Sequence, residues 1–499
     1  MSQISNLFKN GLYVGIMNVM SRASGLILSV LLVRILTPET FGLFALFQRI
    51  MEKISAAMRL GGFEASTQVL SASNHKNNPN FNPFLVSTPF FLRVLICMSL
   101  VVVFSFYPEY IAKNILQQVS LTPYMTFLAF GSAFGAVEVL SEAILKGLNQ
   151  FKVFSKVNII FAFILLPVIA VATYFYDVAG SIISLSLCLV ARSFIVTGLA
   201  AFHAKRIGLS FLPNDFLNTL FQHLKIGLPF YIPILISTPV WIYALSMLTS
   251  IAGVDEMAYY RIIITCGIFI HIIPYSLLPV FITSAANEKN SAENISFFYF
   301  NMKFTIFISS LIAILLIGIL PIFISIIFGS EYALVVKYFV IHGITMIIIA
   351  CCNVVTSFFL ARKQANFVLY ANFLQSIVFL GTSMLLIPRF GLPGILVAEC
   401  ISYIACLLAA IILFGVKTEM NYKIFIFVLR CLPFATLFSI SIFSIDSIEP
   451  VILRFTISII IAVFLVLFFW KTILSLDDKH AVEITLFRKI PFMRTIFSK

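Results

Sequence analysis

Between Phe41 and Phe63 the chain reads FGLFALFQRIMEKISAAMRLGGF, long enough to cross a bilayer yet carrying Arg49, Glu52, Lys53 and Arg59. At 3.6 residues per turn, Gln48, Arg49, Glu52, Ala56 and Arg59 share roughly a third of the helix circumference, with Lys53 beside them. A charge facing lipid at mid-bilayer costs on the order of 3 kcal/mol, so the stripe is expected to face a bundle interior or a wet cavity. Arg22, Arg93, Arg192 and Arg261 also stand inside apolar runs. Cations in a cavity replace the hydration of a buried anion, and arginine does so through bidentate contact with carboxylate or phosphate. The alternative is that these bases pair with buried acids or snorkel to a membrane edge, which Arg59 and Arg93 lie close enough to reach.

A second stripe, Gly131, Gly135, Glu138, Glu142 and Lys146, falls on one helical face. Its glycines permit close helix approach, and its acids fit either pairing with the bases or binding of a coupling H+ or Na+. Glu52 is expected to pair with a neighbouring base. His271, His342 and Glu399 are lone polar groups in the second half, suited to packing through a hydrogen bond or to ion coupling.

The elements that carry these residues follow from composition. With 61% hydrophobic and 11% charged residues and a mean hydropathy of +1.06, the sequence is that of an all-α polytopic membrane protein. Runs of about 20 apolar residues argue against an outer-membrane barrel. No cleavable signal is expected, because the run from Gly11 to Leu36 is too long for one and holds Arg22. Fourteen spans are predicted, near 11–34, 41–63, 84–106, 121–146, 153–175, 179–202, 225–250, 257–286, 298–328, 333–360, 367–387, 393–415, 423–444 and 450–470. They divide into a six-helix lobe over 1–205, an amphipathic cytoplasmic linker over 206–224, a second six-helix lobe over 225–416, two added spans within 417–472 and a basic cytoplasmic tail over 473–499.

With the N-terminus inside, the inner loops and tail collect twenty lysines and arginines while the outer turns hold only Arg34, Lys113, Lys337 and Arg389. That asymmetry places both termini in the cytoplasm. It also accounts for most of the net charge of +13 without nucleic acid as a partner. The eight cysteines all lie in apolar runs and show no disulfide or metal spacing.

The chain repeats itself. Thr37 to Phe44 resembles Gly253 to Tyr260, Gly147 to Asn158 resembles Ala361 to Asn372, and at the same offset of 214 residues Asp177 to Gly180 falls on Gly391 to Gly394. Six spans per copy is even, so the two lobes are expected to share an orientation and to be related by an axis along the membrane normal, with a substrate path between them.

The segments Ser21 to Gly25, Leu32 to Phe44 and Leu60 to Thr67 resemble the N-terminal signature of bacterial polysaccharide-biosynthesis flippases, and the repeated loops resemble recurring positions of that family. The family belongs to the superfamily of multidrug, oligosaccharidyl-lipid and polysaccharide exporters. The resemblance implies a multi-pass protein of the bacterial inner membrane. It would turn an undecaprenyl-pyrophosphate-linked oligosaccharide, an O-antigen or capsule repeat unit, to the periplasmic leaflet. A polysaccharide polymerase and a chain-length regulator are the partners it suggests. Lipid II flippases of the superfamily usually carry an Arg-Asp pair where this sequence has Leu28-Ser29, which argues against a peptidoglycan precursor. Arg22, Arg49, Lys53, Arg59, Arg93, Arg192 and Arg261 are the candidates for pyrophosphate contact. A multidrug/cation antiporter is the alternative, disfavoured because a cationic lumen repels cationic drugs. A membrane glycan polymerase is a lesser one, since every outer turn is short. No cofactor and no enzymatic activity are expected, because no phosphate loop, zinc spacing or nucleophile triad appears.

Overall fold

The computed structural model describes residues 2–59, 84–148, 150–206, 216–287, 291–362, 364–418, 438 and 450–472. The helices are α1 (Ser2–Ile35), α2 (Pro38–Ala57), α3 (Phe84–Phe106), α4 (Met125–Gly147), α5 (Phe151–Lys205), α6 (Phe216–Ala252), α7 (Asp255–Asn287), α8 (Ser291–Phe323), α9 (Leu334–Ala361), α10 (Ala365–Phe390), α11 (Leu392–Thr418) and α12 (Val451–Thr472). Among the described residues ten helices are long and apolar enough to span a membrane, or eleven if Phe90–Phe106 and Pro108–Ile115, bent by 87°, form one span. Two of the fourteen predicted spans lie within α5, and α2 falls outside the apolar set because of its charges, so the observed helices are consistent with fourteen. The predicted span 423–444 and the tail lie outside the described residues. Within the predicted linker, residues 216–224 form the opening turns of α6, and 207–215 are outside the described residues.

The repeat is visible in backbone geometry. Asp177 adopts φ 53° and Gly391 φ 58°. At each of these sites the chain folds back, so that a Cβ on Gly180 would strike the Ala172 carbonyl and one on Gly394 the Leu386 carbonyl. Only glycine fits this approach. The same offset relates Gln150 N–H donating to Leu145 O (2.8 Å) to Gln364 N–H donating to Phe359 O (2.9 Å). It also relates Asn158 Nδ2 on Phe154 O (3.0 Å) to Asn372 Nδ2 on Val368 O (2.9 Å).

By packing, the chain divides into two compact units, Met1–Thr265 with Ser376–Ala398, and Cys266–Gln375 with Glu399–Lys499. In the first, α2 starts at an N-cap where Thr37 Oγ1 accepts from Thr40 N–H, with Pro38 in the first turn. Its Phe41, Phe44, Leu46, Phe47 and Ile50 are buried. Exposed Phe106, Tyr107 and Tyr110 at and just past the end of α3, and Tyr174, Phe175 and Tyr176 before the α5 turn, fit an interfacial aromatic belt.

In the second unit α12 packs on α8. Pro321 lies inside α8 and has no N–H for the Ile317 carbonyl one turn back. Arg454 of α12 satisfies that carbonyl through Nε at 3.2 Å, and Gly318 gives room for Ser458. Arg454→Leu should therefore cost about 1–3 kcal/mol, read as a lower melting temperature in detergent. Adding Pro321→Ala, which restores the N–H donor, should recover part of the loss; no recovery would refute this anchoring.

Candidate functional site

A cavity of about 360 Å³ lies within the first unit. Five helices line it with residues at helical spacing. α2 and the turn that follows it contribute Gln48, Met51, Glu52, Ser55 and Arg59, α4 contributes Gly131, Gly135, Glu138, Val139 and Glu142, and α7 contributes Arg261. α1 adds Ser21, Ser24, Gly25 and Leu28, and α5 adds Asn158 and Phe161 from its first half and Leu189 and Arg192 from its second.

The cavity exists because α2 and α4 touch. A Cβ on Gly131 would strike the Met51 sulfur and one on Gly135 would come within 3.1 Å of Ser55 Oγ. Ser132 Oγ donates to Met51 O at 3.4 Å. Small residues thus bring the two polar stripes face to face.

The charges sort by partner. Arg49 Nη1 meets Glu52 Oε2 at 3.1 Å, and Gln48 donates to Glu52 Oε1 at 3.1 Å. Lys53 leaves this stripe and stands 4.2 Å over the Trp241 ring of α6, a cation–π contact. Arg192 Nε lies 2.7 Å from Glu138 Oε1, in ion-pair contact without the alignment of a hydrogen bond. Its Nη2 lies 3.6 Å from Glu142 Oε1 and donates to Asn158 Oδ1. Lys146 Nζ is 3.4 Å from Glu142 Oε2. The buried Nε atoms of Arg59 and Arg261 make no hydrogen bond, and among the described residues neither guanidinium is in an ion pair.

Three arginines and three glutamates line this cavity, so its formal charge balances when all are ionised. Arg261 lies within electrostatic reach of Arg49 and Glu52. Arg59 lies in the turn just past the end of α2, seven residues beyond Glu52 and roughly 10 Å away at 1.5 Å per residue.

Other sequence-selected residues lie elsewhere. Arg22 stands about 100° around α1 from Ser21, outside the lining set. Arg93 is only 1% exposed and spends its guanidinium on backbone carbonyls, Ala136 O at 3.2 Å and Arg59 O. It ties α3 to α4 and to the turn that ends α2. His271, His342 and Glu399 belong to the second unit. There His271 Nε2 is 2.8 Å from Asn353 Nδ2, and buried His342 Nδ1 is 3.8 Å from Glu399 Oε2.

Asn158, Ser21, Ser24 and Ser55 are the polar lining that the charge-based reading passed over. Serines at 21 and 24 beside Gly25 are one helical face of small residues, a signal that was available. The link from Asn158 to Arg192 is a tertiary contact that sequence spacing does not carry.

A model of the family described as "Polysaccharide biosynthesis protein" matches residues 31–337. No curated protein matches the sequence. Among solved structures the chain is similar to the lipid II flippase MurJ in an inward closed conformation, with TM-score 0.70 at 16% identity over 93% of this chain and 100% of that one. It is also similar to an inward-facing multidrug resistance MATE family transporter of the MOP superfamily, with TM-score 0.64 at 12% identity over 80% and 96%. A Vibrio cholerae MATE transporter gives TM-score 0.63 at 14% identity over 85% and 99%. At such identities the likeness establishes the fold alone.

Two arginines with different partners should respond differently to substitution. Arg93→Leu takes the guanidinium donor from the Arg59 carbonyl and unties α3 from α4, and should cost about 1–3 kcal/mol, seen as a lower melting temperature. Arg59→Leu should leave the melting temperature nearly unchanged. Equal losses in both variants would contradict the assignment of Arg93 to structure.

Proposed function

The chain belongs to the polysaccharide biosynthesis protein family, and from that premise we propose that it is a flippase for an undecaprenyl-pyrophosphate-linked oligosaccharide, an O-antigen or capsule repeat unit. It would work in the bacterial inner membrane with both termini cytoplasmic. The observation that carries this reading is the cavity in which Arg59 and Arg261 present buried guanidinium nitrogens without partners. A diphosphate fills such donors bidentately. Arg261, within electrostatic reach of Glu52, and Arg59, in the turn that follows α2, offer two stations for the anion as it crosses. The hydroxyls of Ser21, Ser24 and Ser55 and the amides of Gln48 and Asn158 match the hydrogen-bonding needs of sugar.

Alternating access by two lobes, residues 1–205 and 225–416, would expose the stations to each leaflet in turn. The driving cation we propose is H+ or Na+, and a polymerase and a chain-length regulator would use the product. Three carboxylates in the cavity favour one second reading, a drug/cation antiporter. The two readings separate in one assay set: cells lacking the protein should accumulate undecaprenyl-linked single repeats on the cytoplasmic leaflet and show unchanged efflux of cationic dyes. Arg59→Ala and Arg261→Ala should reproduce the accumulation, each with at least a tenfold loss of surface polysaccharide, about 1.4 kcal/mol. Accumulation on the periplasmic leaflet, or normal polysaccharide in both variants, would overturn the flippase reading.

A further inference from the structure

Of the cavity's arginines, Arg192 alone is in an ion pair among the described residues. We infer that Glu138 and Glu142 are release residues: they compete with the diphosphate of the substrate for Arg192 and return that arginine to an occupied state when the substrate leaves. The inference rests on the flippase reading above and concerns how that site lets go.

The geometry separates Arg192 from the arginines that build the fold. Arg93 and Arg454 donate to backbone carbonyls and are 1% and 6% exposed, so no ligand reaches them and their partners cannot turn away. The side chain of Arg192 is 24% exposed, it lines the cavity, and its partners are side chains on α4 and on the first half of α5. A carboxylate and a phosphate present the same planar pair of acceptors to a guanidinium, so one substitutes for the other.

Glu138 meets Arg192 from α4 at 2.7 Å and has Glu142 one turn along its own helix. Glu142 holds Lys146 as well. Facing them across the cavity are Glu52 of α2, Arg59 of the turn after it, Asn158 of α5 and Arg261 of α7. A diphosphate drawn to Arg59 or Arg261 and then to Arg192 comes beside two carboxylates. Their repulsion and their claim on the guanidinium weaken the bound state. A transport path needs that balance, with binding strong enough to admit the ion and weak enough to release it. Arg59 and Arg261 are not in ion pairs among the described residues and are the capturing groups. Arg192 is the one whose occupancy is reset.

The test uses the full-length protein in nanodiscs with undecaprenyl pyrophosphate as the probe, and in proteoliposomes for its transfer between leaflets. Glu138→Gln keeps the shape and removes the competing charge. It should tighten binding about tenfold while slowing transfer by a similar factor, a split that lost packing does not produce. Lowering the pH should tighten binding by the wild type and leave the Gln variant flat, since protonating Glu138 frees Arg192 in the same way. Glu142→Gln, whose carboxylate lies 3.6 Å from the guanidinium against 2.7 Å for Glu138, should act in the same direction with a smaller effect, and it serves if Glu138→Gln fails to fold. Binding unchanged or weaker in both variants, with wild-type binding intact, would overturn the release role and leave the flippase reading standing. No binding by the wild type at any pH would overturn both.

Discussion

Charge survives inside a membrane only where protein surrounds it, and in this chain the contact between α2 and α4 provides the surroundings. Gly131 and Gly135 let α4 lie directly on Met51 and Ser55, which turns the polar faces of both helices toward one another and away from lipid. From Phe41 to Phe47 the first half of α2 is a buried row of mostly aromatic and aliphatic side chains. That row makes the helix orientation costly to change, because each such side chain contributes about 1.5–3 kcal/mol by burial. Everything that gives the cavity its chemistry depends on this placement. The ion pairs, the open guanidinium groups and the serine face of α1 converge there because the glycines permit it.

The arginines in the membrane are alike in type and unlike in use. Arg93 and Arg454 donate to backbone carbonyls, among them the Arg59 carbonyl just past the end of α2 and the Ile317 carbonyl that Pro321 leaves without a helix donor, which is a structural employment. Arg192 is held by the carboxylates of Glu138 and Glu142 at the cavity wall. Arg59 and Arg261 face the same space with buried Nε atoms lacking partners. The distinction lies in the partners seen among the described residues: backbone carbonyls for Arg93 and Arg454, side chains for Arg192, and no ion pair for Arg59 and Arg261.

Helical periodicity made the two stripes readable before any coordinates, since Gln48, Glu52 and Arg59, and Gly131, Gly135, Glu138 and Glu142, are spaced to share a face and do so. The repeat was legible for a related reason: Asp177 and Gly391 occupy a turn that tolerates few residues, and the glycines three positions on meet a carbonyl that excludes any side chain. What periodicity does not carry is the angular and tertiary detail. Arg22 is adjacent to Ser21 in sequence and a quarter-turn away in space. The carbonyls that occupy Arg93 lie 34 and 43 residues from it, and Arg454 reaches the Ile317 carbonyl of α8 across 137 residues. Lys53 shares a helix with the cavity residues, but Trp241 of α6 draws it aside.

The central claim is that this cavity carries a lipid diphosphate across the membrane. Its most direct measurement is reconstitution of the purified chain into liposomes holding an undecaprenyl-pyrophosphate-linked oligosaccharide in both leaflets, with an impermeant glycosidase outside. The account predicts that the protein lets the glycosidase consume the inner-leaflet pool as well, and that excess undecaprenyl pyrophosphate slows that loss. Consumption that stops at the outer-leaflet pool, as in protein-free liposomes, would contradict it.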